Sequence, residues 1–539
     1  MAKYVYVTGG VCSSLGKGIA AASIGNLLEN RGVNVRIIKI DPYINVDAGT
    51  MNPYQHGEVY VTDDGAETDL DLGSYSRFTS SPLGKENSIT TGQIYEEVIR
   101  KEREGKYLGR CVQVIPHVTD TIKQKILNVG EQKGVDIAIV EIGGTVGDIE
   151  SIPFLEAARQ FIHDLGKKRV LFIHMTLVPM VSGGEYKTKP TQHSVKALLE
   201  IGIQPDILLC RSAEALSNAM RNKISLFTNV EARAVISAND VKSTIYEIPL
   251  SFSRQGLDDI VLEKLDINQN KGDLSRWQRM VDRYLNATEK IRIGIVGKYL
   301  DLHDSYKSIF EALIHGGFAN DCIVEVVKID SENMDDADDL SAHLSTIDGI
   351  LIPGGFGQRG IEGMIRVAAH LRQNNIPCFG ICLGMQVMVI EYARNVMNLK
   401  DANSTEFNPE SRNPVVSLLE EQVDIALMGG TMRLGQSETH LNGGSKIFSI
   451  YGTKIIKERH RHRYEISNRF RDTLREGGLL IGGLTQDGNL VETIEWPDHP
   501  WAIGVQYHPE FISKPDDAHP LFRSFVKACL DYGNRAQKN

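Results

Sequence analysis

Phe379-Gly-Ile-Cys382-Leu-Gly384-Met-Gln386 is the stretch on which the fold turns. A short apolar run, Ile376 to Ile381, ends in a cysteine with a glycine two positions before it and another two after. An apolar, helix-forming segment, Met385 to Val396, follows at once. A strand that turns sharply into a helix, with a reactive side chain at the apex, is a nucleophile elbow. The flanking glycines are required because the tight turn brings backbone too close for a Cβ. A thiol nucleophile needs a base, and Tyr507-His508-Pro509-Glu510 supplies an imidazole with a carboxylate two positions on. The commonest fate of a free cysteine is burial as a small apolar residue. Here the glycines and the downstream His-Pro-Glu favour nucleophile, base and orienting group, and hence acyl transfer through a thioester.

Outward from the elbow, short apolar runs recur, each followed by helix-like sequence. They include Tyr4–Val7, Val33–Ile40, Asp136–Ile142, Val170–Leu177 and Ile207–Cys210, then Ile291–Val296, Ile323–Ile329, Gly349–Ile352 and Pro377–Ile381. Continuously apolar strands alternating with helices predict parallel sheets covered on both faces. Leu265 to Asp273 is polar and turn-rich, and Ser275 to Lys290 reads as one helix before the second series begins. The fold class is therefore α/β, with two doubly wound, mostly parallel-sheet domains. An N-terminal P-loop-type domain spans 1–266, a linker 267–290, and a C-terminal domain 291–539.

With 539 residues and 42% hydrophobic content, the chain can bury more than one core. A formal net charge of −10 argues against coating nucleic acid or a membrane surface, though not against a local basic pocket. Seven scattered cysteines without a CxxC pair fit a reducing compartment rather than a disulfide framework or zinc site. No apolar run approaches the ~18 residues of a membrane span. The expectation is a cytoplasmic protein with no nucleic-acid or membrane partner.

Thr8-Gly-Gly10-Val-Cys-Ser13-Ser14-Leu15-Gly16-Lys17-Gly18-Ile19 follows the first strand and opens a helix, Ala20 to Asn30. Glycine-rich backbone and a helix N-terminus cradle phosphate, and Lys17 adds a point charge. The spacing departs from the standard phosphate loop: Gly10 is one residue too far from Gly16, and Gly18 stands where Ser or Thr would bind magnesium. A plain strand–helix turn remains the alternative. The missing hydroxyl moves any magnesium to carboxylates elsewhere. Asp69 and Asp71 lie in a polar loop where they could equally be solvated acids, and Glu141 ends an apolar strand. Lys187-Thr-Lys189-Pro190-Thr-Gln192 could grip a triphosphate or be a solvated turn. Lys39 closes the second strand, at the sheet edge where such folds bind ligands.

Near the thiol in function stand three further stretches. Pro353-Gly354-Gly355-Phe356-Gly357 could present N–H groups to an oxyanion, with the Leu383 N–H as second donor. Arg463 could clamp an α-carboxylate and Glu406 an α-ammonium. The charge-dense run Glu458-Arg-His460-Arg-His462-Arg463-Tyr-Glu465 reads otherwise as a solvated basic face, a nucleic-acid patch, or a His/His metal pair.

The elbow with its His508-Pro-Glu510 resembles the class I (triad) glutamine amidotransferases. The stretches from Gly9 to Gly18, Lys39 to Asp47, Gln55 to Val59, Glu67 to Gly73, Val140 to Glu150 and Lys187 to His193 resemble, together with it, the CTP synthase family over nearly the whole chain. The resemblance implies a synthetase domain that uses Mg-ATP to phosphorylate the 4-oxygen of UTP, after which ammonia displaces phosphate to give CTP. It assigns Ser14, Leu15, Gly16, Lys17, Gly18 and Ile19 to ATP phosphates, and Asn239, Asp240 and Val241 to the adenine side. Asp71 and Glu141 become Mg²⁺ ligands, Asp71 also an ATP contact, and Lys39 a catalytic lysine beside Lys17. UTP and CTP fall to Ser13, Asp148, Ile149, Glu150, Lys187, Thr188, Lys189, Pro190, Thr191, Gln192 and Lys223. Cys382, His508 and Glu510 become the glutamine-hydrolysing triad, with Gly355, Leu383, Gly384, Met385, Gln386, Glu406 and Arg463 holding L-glutamine. The family is a homotetramer, activated by GTP, inhibited by CTP, and channels ammonia between its sites.

Two departures from the family pattern stand out in the nucleotide half. Asn239 occupies a lysine position, and Cys12 replaces an aliphatic residue and is expected to pack. In the other half, Glu420 to Met428, ahead of Gly429-Gly-Thr-Met-Arg433, is short for a segment that caps the glutaminase site and senses GTP. Two other readings compete: an ATP-dependent amidotransferase acting on a carboxylate, and a nucleotide-binding assembly protein with dead sites. Intact Lys17, Asp71, Glu141, Cys382 and His508 weigh against the last.

Overall fold

The computed structural model describes every residue except 242, 299, 301, 335–339, 342–343, 419–431 and 537–539. The segment from Glu420 to Met428 therefore lies outside the described residues. The chain forms two compact units: residues 1–48 with 71–281, and residues 49–70 with 282–539.

In the first unit seven strands pair entirely in parallel. Their order is Val235–Asn239, Ile207–Ser212, Val170–Leu177, Lys3–Gly9, Ile137–Ile142, Val35–Asp41 and Ser88–Thr90. The central strand shows why its sequence is continuously apolar. Tyr4 and Tyr6 enter one core with Phe161 and Phe172, while Val5 and Val7, also fully buried, point to the opposite face. The helix Lys17–Asn30 covers that second face, with Gly25 packed against Ile37 and Ile139. Since all strands run the same way, their carboxyl ends share one edge. Gly10 to Lys17, Lys39, Glu141, Arg211 and Asn239 gather there for purely topological reasons.

The second unit contains a nine-stranded sheet. Five strands, Cys322–Asp330, Glu289–Gly297, Gly349–Ile352, Cys378–Ile381 and Ala502–Val505, pair in parallel. Val491–Glu495, Leu480–Thr485, Arg433–Leu441 and Ile455–His462 then continue the sheet antiparallel. Of that antiparallel half only Leu480–Thr485 starts in an apolar run, Leu479 to Ile481, and the half was not foreseen. One core packs helices Ile361–Asn374 and Leu383–Asn395 on one face. The other packs Lys307–Asn320 and Pro520–Ala536 opposite.

Two boundaries differ from the sequence-based ones. The helix expected over 275–290 spans Ser275–Leu285, and residues up to 281 pack with the first unit. Residues 49–70, counted with the N-terminal domain by sequence, pack with the second unit instead.

Candidate active sites

Cys382 has φ 53° and ψ −104°, a strained conformation for a residue with a Cβ, at the joint between strand Cys378–Ile381 and helix Leu383–Asn395. A Cβ on Gly384 would lie 2.0 Å from the Ile352 carbonyl oxygen, and one on Gly380 2.7 Å from the Gly384 carbonyl carbon. The predicted elbow is thus built by close backbone approach on both flanks. The elbow hangs on backbone bonds: Cys382 N–H donates to Val505 O at 2.7 Å, and His508 N–H to Arg459 O at 2.8 Å. Cys382 Sγ donates to Arg461 O at 3.8 Å.

His508 Nδ1 and Glu510 Oε1 are 2.7 Å apart, and the imidazole stacks on Phe511. Burial favours a neutral ring, but the Glu510 carboxylate and then the Cys382 sulfur outweigh it and raise His508 to about 10. Gly354 covers the pair: a Cβ there would sit 3.0 Å from His508 Cε1 and 3.6 Å from Cys382 Cβ. A small cavity of about 80 Å³ is lined by Cys382, His508, Gly354, Gly355, Phe356 and Arg461 among others. The first amides of helix Leu383–Asn395 have no carbonyl behind them in the helix, so the Leu383 N–H is available to an oxyanion.

Of the glutamine positions, Glu406 accepts the Gly357 N–H at 2.6 Å. Burial raises its carboxyl, and the charges of Lys298 and Arg463 pull the other way. Gln386 is buried and donates to Tyr464 O at 3.0 Å, and Met385 is buried in the core. Lys298 was missed by sequence. Burial lowers its ammonium to about 8, and it donates to the carbonyls of Phe356 and Gly357. The signal was available, since Lys298 directly follows the parallel strand Glu289–Gly297, and Lys39 lies at the carboxyl end of another.

The charge-dense run is neither a solvated face nor a nucleic-acid patch: its first five residues belong to the strand Ile455–His462, where Glu458, Arg459, His460 and His462 are buried. His460 pairs with Glu492 at 2.7 Å and Glu458 with His519 at 3.0 Å. Arg459 donates to Asp63 and to Tyr60 Oη, both at 2.6 Å, and Arg461 to Glu67 at 2.8 Å.

In the first unit Lys17 is buried and donates to Gly144 O at 2.7 Å, and burial lowers its ammonium. Register places Lys39 directly opposite Glu141. Lys39 Nζ lies 3.3 Å from Glu141 Oε1 and 3.6 Å from Asp41, and also bridges to Asp71. Tyr75 Oη donates to the other Glu141 oxygen. Glu141 is fully buried, and burial followed by the Asp71 charge raises its carboxyl. Asp71 is no solvated loop acid; it opens the helix Asp71–Phe78. A Cβ on Gly18 would lie 1.9 Å from Asp71 Oδ1. The departure from the standard phosphate loop is therefore steric: a carboxylate fills the place of the hydroxyl.

A cavity of about 340 Å³ is lined by Leu15, Gly16, Ile19, Arg211, Asn239, Asp240 and Val241, with Ile248 and Phe252. Arg211, also missed, donates to the carbonyls of Ser14 and Leu15 and to Asp240 Oδ1. Ser13 and Ser14 are exposed at the loop's crest. Cys12 is exposed too, so the expectation that it packs is corrected.

The pyrimidine-assigned residues are less gathered. Lys187 pairs with Glu185 at 2.6 Å, with Lys223 near enough to act on the same carboxylate. Thr188 and Thr191 are buried, and Lys189, Pro190 and Gln192 begin the helix Lys189–Glu200. Asp148 accepts the Thr145 N–H at 2.9 Å, and Ile149 and Glu150 are exposed on a separate turn. Among the described residues no group of three or more His, Cys, Asp or Glu gathers as a metal cage. No described helix is long and apolar enough to cross a membrane.

A phosphate-binding α/β unit and a cysteine glutaminase unit in one chain define a glutamine-dependent, ATP-using amidotransferase. Residues 3–267 match the family model described as CTP synthase N-terminus, and residues 301–528 match that of class-I glutamine amidotransferases. The CTP synthase of Geobacter sulfurreducens is 57% identical over 531 residues, 98% of each chain. That of Clostridium kluyveri is 56% identical over 530 residues, again 98% of each. Among solved structures, the glutaminase domain of Trypanosoma brucei CTPS with bound acivicin is 40% identical. It covers 45% of this chain and 94% of that one at a TM-score of 0.43. The chain belongs to the CTP synthase family.

Proposed function

We propose that the first unit makes CTP from UTP with ATP, and that Cys382 in the second unit frees the ammonia it uses from L-glutamine. The observation that carries the reading is the Lys17, Lys39, Asp71 and Glu141 cluster, whose Lys17 directly follows Gly16 in the wall of the 340 Å³ cavity. The 4-oxygen of UTP is a poor leaving group until phosphorylated, and these cations would stabilise the transferring phosphoryl oxygens. Lys17 binds ATP phosphates with the backbone of Ser14, Leu15, Gly16, Gly18 and Ile19. Asn239 to Val241 and Ile248 hold the base. Two carboxylates without a third protein ligand suit Mg²⁺, which takes most of its remaining ligands from phosphates and water. Asp71 and Glu141 would hold it, and Lys39 Nζ bridges the same two carboxylates here. The ion, when bound, neutralises phosphate charge. Ser13, Asp148 to Glu150, Lys187 to Gln192 and Lys223 bind UTP, or CTP as inhibitor.

In the second unit Cys382 Sγ attacks the glutamine amide carbon, forming a C–S bond. His508 passes its proton to the departing nitrogen, and water then cleaves the thioester. Gly355 and Leu383 N–H groups hold the oxyanion, while Glu406 and Arg463 hold the α-ammonium and α-carboxylate. Gly384, Met385 and Gln386 shape the wall behind. A homotetramer is carried over from the family resemblance, and the exposed apolar side chains of Leu226 and Phe227, at 81% and 57% exposure, are consistent with it. GTP activation is carried over from the family resemblance alone. Seven unpaired cysteines support a cytoplasmic location.

The test is CTP formation, followed by absorbance, from ATP, UTP and either glutamine or ammonium. Turnover of a carboxylic acid in place of UTP would overturn the reading.

A further inference from the structure

A buried chain of hydrogen bonds lies directly behind the phosphate loop and has no part in the chemistry above. Thr8 Oγ1 and His174 Nδ1 are 2.8 Å apart, and His174 Nε2 and Ser194 Oγ are 2.7 Å apart. All three side chains are buried, His174 completely. Thr8 ends the strand that leads into the loop. His174 sits on the neighbouring strand, Val170–Leu177. Ser194 belongs to the helix Lys189–Glu200, whose first turn and preceding residues are the UTP-assigned Lys187 to Gln192. Gly10 seats itself on the same chain: a Cβ there would lie 1.8 Å from Ser194 Oγ and 3.2 Å from His174 Nε2. The helix start is tied down a second time, through Thr191 Oγ1 to Thr176 Oγ1 at 3.0 Å and to Leu177 O at 3.1 Å.

We infer that His174 is a positioning residue that sets the distance between the ATP-binding loop and the UTP-binding helix by bridging Thr8 to Ser194. The inference rests on the assignment of residues 187–192 to UTP. An imidazole suits the role because a neutral ring offers one donor and one acceptor on opposite sides, one to each hydroxyl. Burial, with the Lys17 charge adding to it, lowers His174 to about 3, so the ring stays neutral while Lys17 is charged beside it. A second cation would compete with Lys17 for phosphate; a neutral bridge does not.

The experiment uses the full chain with ammonium as nitrogen source, so the glutaminase unit is bypassed, and measures KM for UTP and ATP separately. Ser194→Ala and His174→Asn each cut the link to the helix. Each should raise the UTP KM about fivefold, the scale of one neutral hydrogen bond, with the ATP KM within twofold. His174→Gln, whose amide reaches the Nε2 position, should recover much of the loss. Lys187→Ala is the control for the underlying assignment and should raise the UTP KM regardless. If Lys187→Ala raises it while Ser194→Ala and His174→Asn leave it unchanged, the bridge is inert and the inference falls. Equal rises in both KM values tracking a fall in melting temperature would reduce His174 to packing and overturn it as well. If Lys187→Ala has no effect, the UTP assignment itself fails, whatever Ser194→Ala does.

Discussion

Gly384→Ala tests whether the elbow's glycine is there for space. A methyl at this position would sit 2.0 Å from Ile352 O, 2.9 Å from Ile352 C and 3.1 Å from Ile352 Cβ. Carbon and carbonyl oxygen approach to about 3.3 Å in weak C–H···O contacts, so the overlap is about 1.3 Å. No rotamer relieves it, because the nearest atoms are main chain. Alanine favours a helix over glycine by up to about 1 kcal/mol, while overpacking a filled core costs about 1–3 kcal/mol. The clash wins. Relief requires the helix Leu383–Asn395 or the strand Gly349–Ile352 to move, and each leads into the site, at Cys382 or at Gly354. A displacement of about 1 Å in such a constellation costs roughly a hundredfold in rate, or about 2.7 kcal/mol of barrier. Ammonia release from glutamine should fall by that factor, while ammonium-driven CTP formation stays within twofold of the parent. Glutaminase activity retained above a third would refute the steric account. Equal loss of both activities would show that the damage is global instead.

Cys382→Ser should abolish glutamine-driven synthesis and spare ammonium-driven synthesis; loss of both would break the division of labour. Gly18→Ser, which restores the standard loop's hydroxyl, should abolish both, because its Cβ would meet Asp71 Oδ1 at 1.9 Å; near-normal ammonium-driven rates would sink that reading. His508 is held protonated to about pH 10, so its ion pair with Glu510 stabilises fully below the ordinary ~6.5 and is lost as pH rises through about 10. Glu510→Gln should therefore move the alkaline limb of glutaminase kcat/KM down by at least about one pH unit; an unmoved limb contradicts the assignment. Arg459→Met removes the donor of four bonds, two of them to the buried carbonyls of Val61 and Phe511. It should lower glutamine-driven turnover tenfold or more, whereas Asp63→Asn, at a half-exposed partner, should cost under about 1 kcal/mol by denaturant melting.

What the sequence made legible has a common physical character: it is local. The parallel strands showed as continuous apolar runs because both faces of each sheet are covered, as Tyr4 to Val7 demonstrates. The glycines around Cys382 were readable because a tight turn excludes a Cβ whatever surrounds it. Gly18 reads in sequence as a missing magnesium hydroxyl, but the carboxylate packed against it was hidden, because Asp71 arrives from 53 residues away (71 minus 18). Arg211 and Lys298 were overlooked although Arg211 lies at the carboxyl end of a parallel strand, as Lys39 does, and Lys298 directly follows one. Residues 49–70 carried no usable signal. Their strands, Tyr60–Val61 and Glu67–Thr68, are two residues long, too short for any period, and their packing depends on partners hundreds of residues later.

The strand Ile455–His462 explains why a hydrophobicity-based reading fails here and what would have served. Its period of two is written in charge rather than in apolarity. Glu458, His460 and His462 face one side, where His519, Glu492 and Glu465 receive them. Arg459 and Arg461 face the other, toward Asp63 and Glu67. Burying Glu458 and Arg459 is tolerable only because each finds a partner, whereas burial keeps His462 neutral and raises Glu465 to about 8. The main chain between those anchors does the local work, since the carbonyls of Arg459 and Arg461 accept from His508 N and Cys382 Sγ. The dyad is therefore held by backbone whose position is set by polar side-chain pairs on one face and arginine–carboxylate pairs on the other. One face is supplied by the stretch that ends at Leu70, immediately before Asp71 of the phosphate site. Covalent order assigns residues 49–70 to the family's N-terminal half, and packing assigns them to the glutaminase. A substitution at Asp63 or Glu67 should thus register first in glutamine hydrolysis, although both lie within the stretch matched as synthetase.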